Sequence, residues 1–431
     1  LFQIGIKLIL NHKPYFKTLI TATTEKINQC RISGESDLVD ILSLGEQYLT
    51  GVFPSSKEEK ITKGPLDLVW AKESGLLQLK HSYDLGEMYG DNYGYRSGLN
   101  SSMVEHLTNK ITSLENLVQL NPNDIVIDIG SNDATSLKAY SKPCIKVGID
   151  PTGLKFKDYY SDDITLIPNF FTKELFENKF QSKKAKIVTS IAMFYDLEDP
   201  KKFAKDIYEI LDDNGIWHFE QSYMPSMLKT NAYDTICHEH IEFYSLKVVK
   251  ELLESVNLKI IDVQTNSING GSFAVTASRV DANYIVNDVL IDWMLFQEAQ
   301  MKLETISPYL AFKERIFDHR DSLRKLILSL VKSGKKVYGY GASTKGNVLL
   351  QFCEFTSLDI PFIAEVNEEK FGKYTPGTHI KIISEEEAKL NKPDYFLVLP
   401  WHFKDNILSR EKEYLKTGVK FIFPLPEIEI I

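Results

Sequence analysis

Cysteine is scarce in this chain: four residues in 431, at Cys30, Cys144, Cys237 and Cys353, with no CxxC pair among them. Neither a disulfide framework nor a closed thiolate zinc site follows from that pattern, and no metal is expected. Basic residues are outnumbered, 50 to 59, and the net charge of −9 argues against a nucleic-acid groove, which needs a basic face. A small anionic ligand needs only a few local donors and is not excluded. No basic tract long enough to hold an acidic membrane occurs. The opening LFQIGIKLIL is broken by Gly5 and Lys7, and has neither the length of a membrane span nor a leader's cleavage pattern. It reads as a buried first strand or a segment extraneous to the fold. A cytoplasmic protein that binds neither membrane nor nucleic acid is the expectation.

What is present is ordinary globular composition, 43% hydrophobic and 11% aromatic, over a length that predicts two or three domains. Residues 1–88 mix strand-like LVDILSLG and LLQLKHSY with turn signals at Gly51, Pro54 and Gly64-Pro65, which predicts a small N-terminal lobe. Residues 89–279 alternate short apolar runs (DIVIDIG, IKVGID, ITLIPNF, AKIVTSIA, GIWHFE) with helical stretches such as the one from Pro200 to Gly215. That alternation predicts an α/β fold with a mostly parallel, doubly wound sheet. A long amphipathic stretch follows at 292–333. Alternation then restarts with KKVYGYG, IPFIAEV, DYFLVLP and VKFIFPLP, so 280–431 reads as a second, Rossmann-like α/β domain.

Two glycine loops carry chemistry. In VIDIGSNDA an apolar strand containing Asp128 runs into Gly130, Ser131, Asn132 and Asp133 before a helix, so backbone can approach a ligand closely. About twenty residues on, Asp150 ends the next strand, where a carboxylate can accept from both ribose hydroxyls. With one glycine the loop is not GxGxxG; it suits the D-x-G-x-x pattern of class I S-adenosylmethionine (SAM) methyltransferases. Asn169 and Phe170 then fall where an adenine would lie, and TSIAMFYD, with Tyr195, at the floor of the transfer site. The second loop, VYGYGASTKGNVLLQF, fails as a P-loop because Asn347 follows Gly346 where lysine is needed, and fails as GxGxxG at Thr344. A phosphate-facing loop with Ser343, Thr344 and Lys345 remains reasonable.

Nine histidines are few, and two flank one glutamate in YDTICHEHIEFYSL: His238, Glu239, His240. Histidines at i and i+2 diverge on a helix but share a face on a strand, so a metal pair needs a strand and a third ligand. A general base with Glu239 setting its tautomer, and a polar turn without chemistry, are the other two readings.

Taken jointly, YDTICHEHIEFYSL, GYGASTKGNVLL, KYTPGTHIKI and VLPWHFKDNI resemble the SAM-dependent nucleotide-sugar C-methyltransferases, which build branched deoxysugars; the likeness runs from LSLGEQYL to IFPLPEIEI. The resemblance implies a zinc-binding first lobe, a central SAM domain and a C-terminal domain that helps hold a nucleotide-linked keto-sugar. It implies His240 as the base, Glu239 as its acid/base partner, His238 as a neighbour, and substrate contacts from Tyr93, Tyr95 and Ser97; Tyr195, Ser343, Lys345 and Asn347 are further expected substrate contacts. Monomer and homodimer both fit. Where relatives carry two CxxC pairs, this chain reads Cys30-Arg31-Ile32-Ser33 and Ala71-Lys72-Glu73-Ser74, so three of four thiolates are missing. Cys237 stands where some relatives have Tyr, and some carry His in the loop of Tyr195. A nicotinamide-dependent oxidoreductase or epimerase using the second loop, and an inactive nucleotide-sugar-binding scaffold, are the competing readings.

Overall fold

The computed structural model describes residues 24–88 and 95–431. Tyr93 and the opening apolar segment lie outside the described residues. The first lobe contains strands β1 (Glu25–Lys26), β2 (Leu38–Tyr48), β3 (Lys63–Ala71), β4 (Leu77–Leu79) and β5 (His81–Ser82). The Gly64-Pro65 turn signal is overruled: β3 runs through both residues, because Leu66, Leu68 and Trp70 alternate inward at period two. The β2–β3 register slips beside Pro65, where a residue without an N–H is tolerated.

The central sheet is built from β6 (Ile125–Ile129), β7 (Ile145–Ile149), β8 (Ile164–Ile167), β9 (Ala185–Ile191) and β10 (Leu211–Ser222), all parallel. After a two-residue strand β11 (Glu242–Phe243), an antiparallel pair β12 (Leu258–Asn266) and β13 (Ser272–Arg279) completes the order β12-β13-β10-β9-β6-β7-β8. Strand β6, IVIDI, is buried throughout, as a strand covered on both faces must be. The helix expected to reach Gly215 ends at Ile210. Asp212, Asp213 and Asn214 favour turns, the Asn214 amide donates to the Asp212 carboxylate, and β10 enters the sheet through an irregular register.

The amphipathic stretch forms two helices, Asp288–Gln300 and Ser307–Lys332, the second opening with Pro308 in its first turn. They lead to β14 (Val337–Tyr340), β15 (Phe362–Glu365), β16 (Lys381–Ser384), β17 (Tyr395–Val398), β18 (Lys420–Phe423) and β19 (Glu429–Ile430), in the order β16-β15-β14-β17-β18-β19. Both large sheets therefore change winding direction at their first strand, β6 and β14, which opens a crevice at its C-terminal end.

The three sheets are tied through the segment that carries the histidines. Strand β11 leaves the central fold and pairs with β4 of the lobe, Glu242 opposite Gln78. The Leu79 amide donates to the Ile241 carbonyl (2.8 Å), and the Ile241 amide to the Tyr195 carbonyl (3.0 Å). On the other side, Trp401, just past β17, donates its indole N–H to buried Asp234 at 2.7 Å. Leu66, Leu68 and Trp70 of the lobe share one apolar core with Tyr309, Phe312 and the second sheet. Removing the indole donor leaves a buried carboxylate oxygen unpaired, so Trp401→Phe should cost about 1–3 kcal/mol. Urea unfolding should show a lower midpoint with an unchanged slope; an unchanged midpoint would mean that the bond contributes nothing.

Candidate active site

Residues Cys237–His240 form a turn, closed by the His240 amide on the Cys237 carbonyl at 3.1 Å, so the three side chains of HEH diverge. His238 is fully buried toward the lobe, edge-on to Tyr83 with ring centroids 4.6 Å apart. Burial pushes its pKa down to about 4. Glu239 points at Gly51: a Cβ there would overlap its Oε1. Only glycine fits at 51. Burial raises the Glu239 pKa, and the Cys237 thiol and the Gly51 backbone hydrogen-bond to it. His240 turns the other way, its ring 4.2 Å from that of Tyr195. Its Nδ1 lies 2.9 Å from the Thr235 carbonyl, an oxygen that can only accept, so Nδ1 carries the proton and Nε2 is left as the acceptor. The carbonyl of Thr235, rather than Glu239, thus sets the tautomer. Burial and the positive charge of Lys345 push the His240 pKa down to about 3. The shared strand face that a metal pair requires does not exist.

The first glycine loop sits at the switch point of the central sheet. Gly130 has φ +75°, which lets the chain turn between β6 and Ser131 while Met193 closes on it. Asp150, at the end of β7, accepts from the Asn132 amide (2.7 Å) and from the amide and hydroxyl of Thr152 (both 2.6 Å). It is buried at the mouth of the crevice. Asp128 accepts from Thr189 at 2.6 Å, and burial raises its carboxyl to about 7. The Ser131 hydroxyl meets that of Tyr160 at 2.8 Å. Asn169 lies just past β8, next to β7, and its side-chain oxygen accepts from the Phe170 amide. The Phe170 ring is exposed, open to stacking. A carboxylate for the ribose, an open aromatic face for the adenine and a left-handed glycine against the backbone make a donor set that fits SAM.

Tyr95 and Ser97 are brought to this loop rather than to the HEH turn. Asn132 donates to the Tyr95 carbonyl and accepts from the Ser97 amide, and Asp133 accepts from the Gly98 amide at 2.9 Å. In the second sheet Ser343 caps the helix Thr344–Phe352, accepting from the Gly346 amide. Asn347 is turned away from the crevice: it is buried and donates to the Thr50 carbonyl of the lobe at 2.8 Å. Lys345 is partly buried at the start of that helix, and its charge acts on Asp234 and Cys237. Two residues escaped the sequence reading. Thr235 orients the His240 ring with a backbone carbonyl, which no motif encodes. His402 stands in the quoted VLPWHFKDNI, and its position near Lys345 is a tertiary fact.

Among known families, one described as a zinc binding domain matches residues 30–89, a methyltransferase domain matches 103–263, and a C-methyltransferase C-terminal domain matches 267–426. C-methyltransferase NovU of Streptomyces niveus is 31% identical over 409 residues, covering 94% of this chain and 97% of that protein. Among solved structures, the mitomycin 7-O-methyltransferase MmcR is 12% identical over 42% of this chain and 55% of its own, with a TM-score of 0.33. The plantazolicin methyltransferase BpumL in complex with S-adenosylhomocysteine is 11% identical over 40% of this chain and 82% of its own, with a TM-score of 0.32.

The zinc implied for the first lobe does not fit the residues there. Cys30 Sγ faces Ser74 Oγ at 3.2 Å, Ser33 accepts from the Glu35 amide, and Ala71 offers a methyl group. One thiol and two hydroxyls are not a tetrahedral zinc set. Cys30, Ala71 and Leu76 belong instead to the apolar core of the central sheet. Arg31, between the former ligand positions, donates to the Leu79 carbonyl (2.7 Å) and to Ser82 (2.9 Å), and pairs with Glu198 of the central fold at 3.3 Å. Prolonged chelation should therefore leave the melting temperature unchanged; stoichiometric zinc, with a drop in melting temperature on its removal, would contradict this.

His218 and His402, like His240, are pushed down to about 3, and His238 to about 4, with burial the main cause each time. Unfolded imidazoles take up protons below about 6.5. The set therefore draws stability away from the fold as pH falls from there toward 4. Nitrogen NMR at pH 5 should find all four rings neutral; a charged His240 at that pH would refute its assigned environment.

Proposed function

The chain belongs to the C-methyltransferases and uses S-adenosylmethionine, and from that premise we propose that it methylates the carbon α to the ketone of a nucleotide-linked keto-deoxysugar, through an enolate, with His240 as the base and Glu239 beside it. The observation that carries the reading is the His240 ring: Nδ1 engaged by the Thr235 carbonyl, Nε2 left to accept, and the imidazole neutral. A neutral imidazole with a free acceptor nitrogen can take a proton, and its basicity rises as the forming enolate places negative charge beside it. The motifs YDTICHEHIEFYSL, GYGASTKGNVLL and VLPWHFKDNI supply the substrate class by resemblance. We further propose the division 1–88, 89–279 and 280–431 for lobe, cofactor domain and sugar-nucleotide domain.

When bound, the cofactor supplies an electrophilic methyl group to the nucleophilic carbon. Asp150 would hold its ribose, Asn169 and Phe170 its adenine, and the backbone from Gly130 to Asp133 its amino-acid end. His240 Nε2 takes the α proton and keeps it from the enolate while the new bond forms. Tyr195, packed on the ring, restricts its rotation and excludes water. Glu239, its pKa raised by burial, can be protonated and donate a hydrogen bond at the same turn. The nicotinamide reading is disfavoured at the second loop. Its GYGAST lacks the third glycine of GxGxxG, with Thr344 in that place, and the region 267–426 matches a C-methyltransferase C-terminal domain.

The test is a panel of nucleotide-linked keto-deoxysugars incubated with SAM in heavy water and read by mass spectrometry. A methyl group gained by a keto sugar, and not by its alcohol form, is expected. Replacing His240 by Asn should lower turnover at least about 100-fold, the usual contribution of a positioned base, with SAM affinity unchanged. Full turnover in that variant would remove His240 from the role.

A further inference from the structure

The second sheet changes winding direction between β14 and β17, so the loops that follow these strands flank its crevice. They touch: a Cβ on Gly341 would lie 2.7 Å from Pro400 Cδ, and one on Gly346 would lie 2.7 Å from Leu399 Cβ. One loop carries Lys345, the other His402. The crevice faces the base, because the helix Thr344–Phe352 packs on the turn Tyr233–Thr235 that leads into HEH, and Trp401 bonds to Asp234 within that turn. Thr344 Oγ1 stands 3.8 Å from the position of a Gly51 Cβ, the same position that Glu239 crowds. Lys345, the residue after Thr344, thus lies in the first turn of a helix that packs on the turn leading to His240. Its charge is felt at His240 and His402, and it feels Asp234 and Cys237 in turn.

We propose that Lys345 is a catalytic residue whose ammonium stabilises the negative charge forming on the ketone oxygen of the substrate, and that Asp234, held by Trp401, is the positioning residue that aims it. The inference rests on the keto-sugar reading above. When His240 Nε2 takes the α proton, the C–H electron pair becomes the carbon–carbon double bond and the carbonyl π pair moves onto oxygen. One negative charge appears there as one positive charge appears on the imidazole. In the resting site the lysine opposes protonation of His240, so the two cations are compatible only with an anion beside them. That anion exists once the enolate begins to form, so the interaction strengthens toward the transition state rather than in the ground state. A partly buried ammonium acts there more strongly than in water. Asp234 Oδ2 takes the indole N–H, and no hydrogen bond is made to its buried Oδ1. The carboxylate charge also favours the protonated lysine against the burial that lowers its pKa.

The test follows α-deuterium exchange and methyl transfer in Lys345→Met, with the keto sugar that the panel identifies as substrate. Both rates should fall together by about 100-fold, with KM for the sugar and SAM affinity within about threefold of the parent. Lys345→Arg should recover part of the loss. In the Met variant the acid limb of kcat/KM should move up, since of the titratable groups around the turn (Asp234, Cys237, Glu239, His402 and Lys345) only the cation that depresses His240 is gone. Lys345→Gln provides a second neutral variant if Met disturbs folding. A raised KM with unchanged kcat would overturn the proposal and make Lys345 a grip on the substrate phosphates. Unchanged exchange and transfer would overturn it as well. If the parent enzyme neither exchanges nor methylates any keto sugar, the keto-sugar reading itself fails, and this inference with it.

Discussion

The arrangement of the HEH side chains hangs on the clamping of residues 233–243 between the lobe and the second large sheet. One end is held by the Trp401 indole on buried Asp234, the other by β11 pairing with β4 and by Leu79 on the Ile241 carbonyl. Between those anchors the chain makes two successive turns, Tyr233–Thr235 and Cys237–His240, and three adjacent polar side chains leave the second in three directions. A short irregular segment would otherwise be among the first to open. Here opening it means breaking buried polar bonds at both ends, so the His240 ring is held in one orientation.

The clamp also accounts for the first lobe. The lobe lends β4 to the HEH segment, Gly51 to the Glu239 carboxylate and the Thr50 carbonyl to Asn347. Those contacts need the lobe to stay folded, not to bind metal. Loss of three thiolates is offset by apolar burial of Cys30, Ala71 and Leu76 and by the Arg31 guanidinium reaching across to Glu198. A buried guanidinium with several acceptors is a cross-link of a different kind from zinc, and it ties the lobe to the central fold.

Electrostatically the site is a place of suppressed charge. His238, His240 and His402 are kept neutral, and Glu239 is pushed toward its protonated form, all chiefly by burial. A neutral pocket with one lysine at its edge suits a reaction whose charge is created at the moment of proton transfer, since little solvent has to reorganise.

Much of this was legible from residues alone. Each β-branched run between turn formers became a strand of one of the two large sheets, because period and length are local properties of the chain. The Gly130 loop and Asp150 were recognisable for the same reason: a strand, a left-handed glycine and a carboxylate one strand later are fixed by spacing. Local signals failed where distant partners decided. Gly64-Pro65 looks like a turn yet lies in β3, since the lobe core draws Leu66, Leu68 and Trp70 inward. Asn347 looks like a ligand contact yet serves the Thr50 carbonyl. Tyr95 and Ser97 were expected at the substrate and lie on the glycine loop. The sequence by itself determined the two α/β units, the glycine loops and the residue types at HEH. Only tertiary structure decided which way His238, Glu239 and His240 point, because their partners Tyr83, Gly51 and Tyr195 are far from them in the chain, and which carbonyl sets the tautomer, because the local turn that brings Thr235 to His240 is held by those packed neighbours.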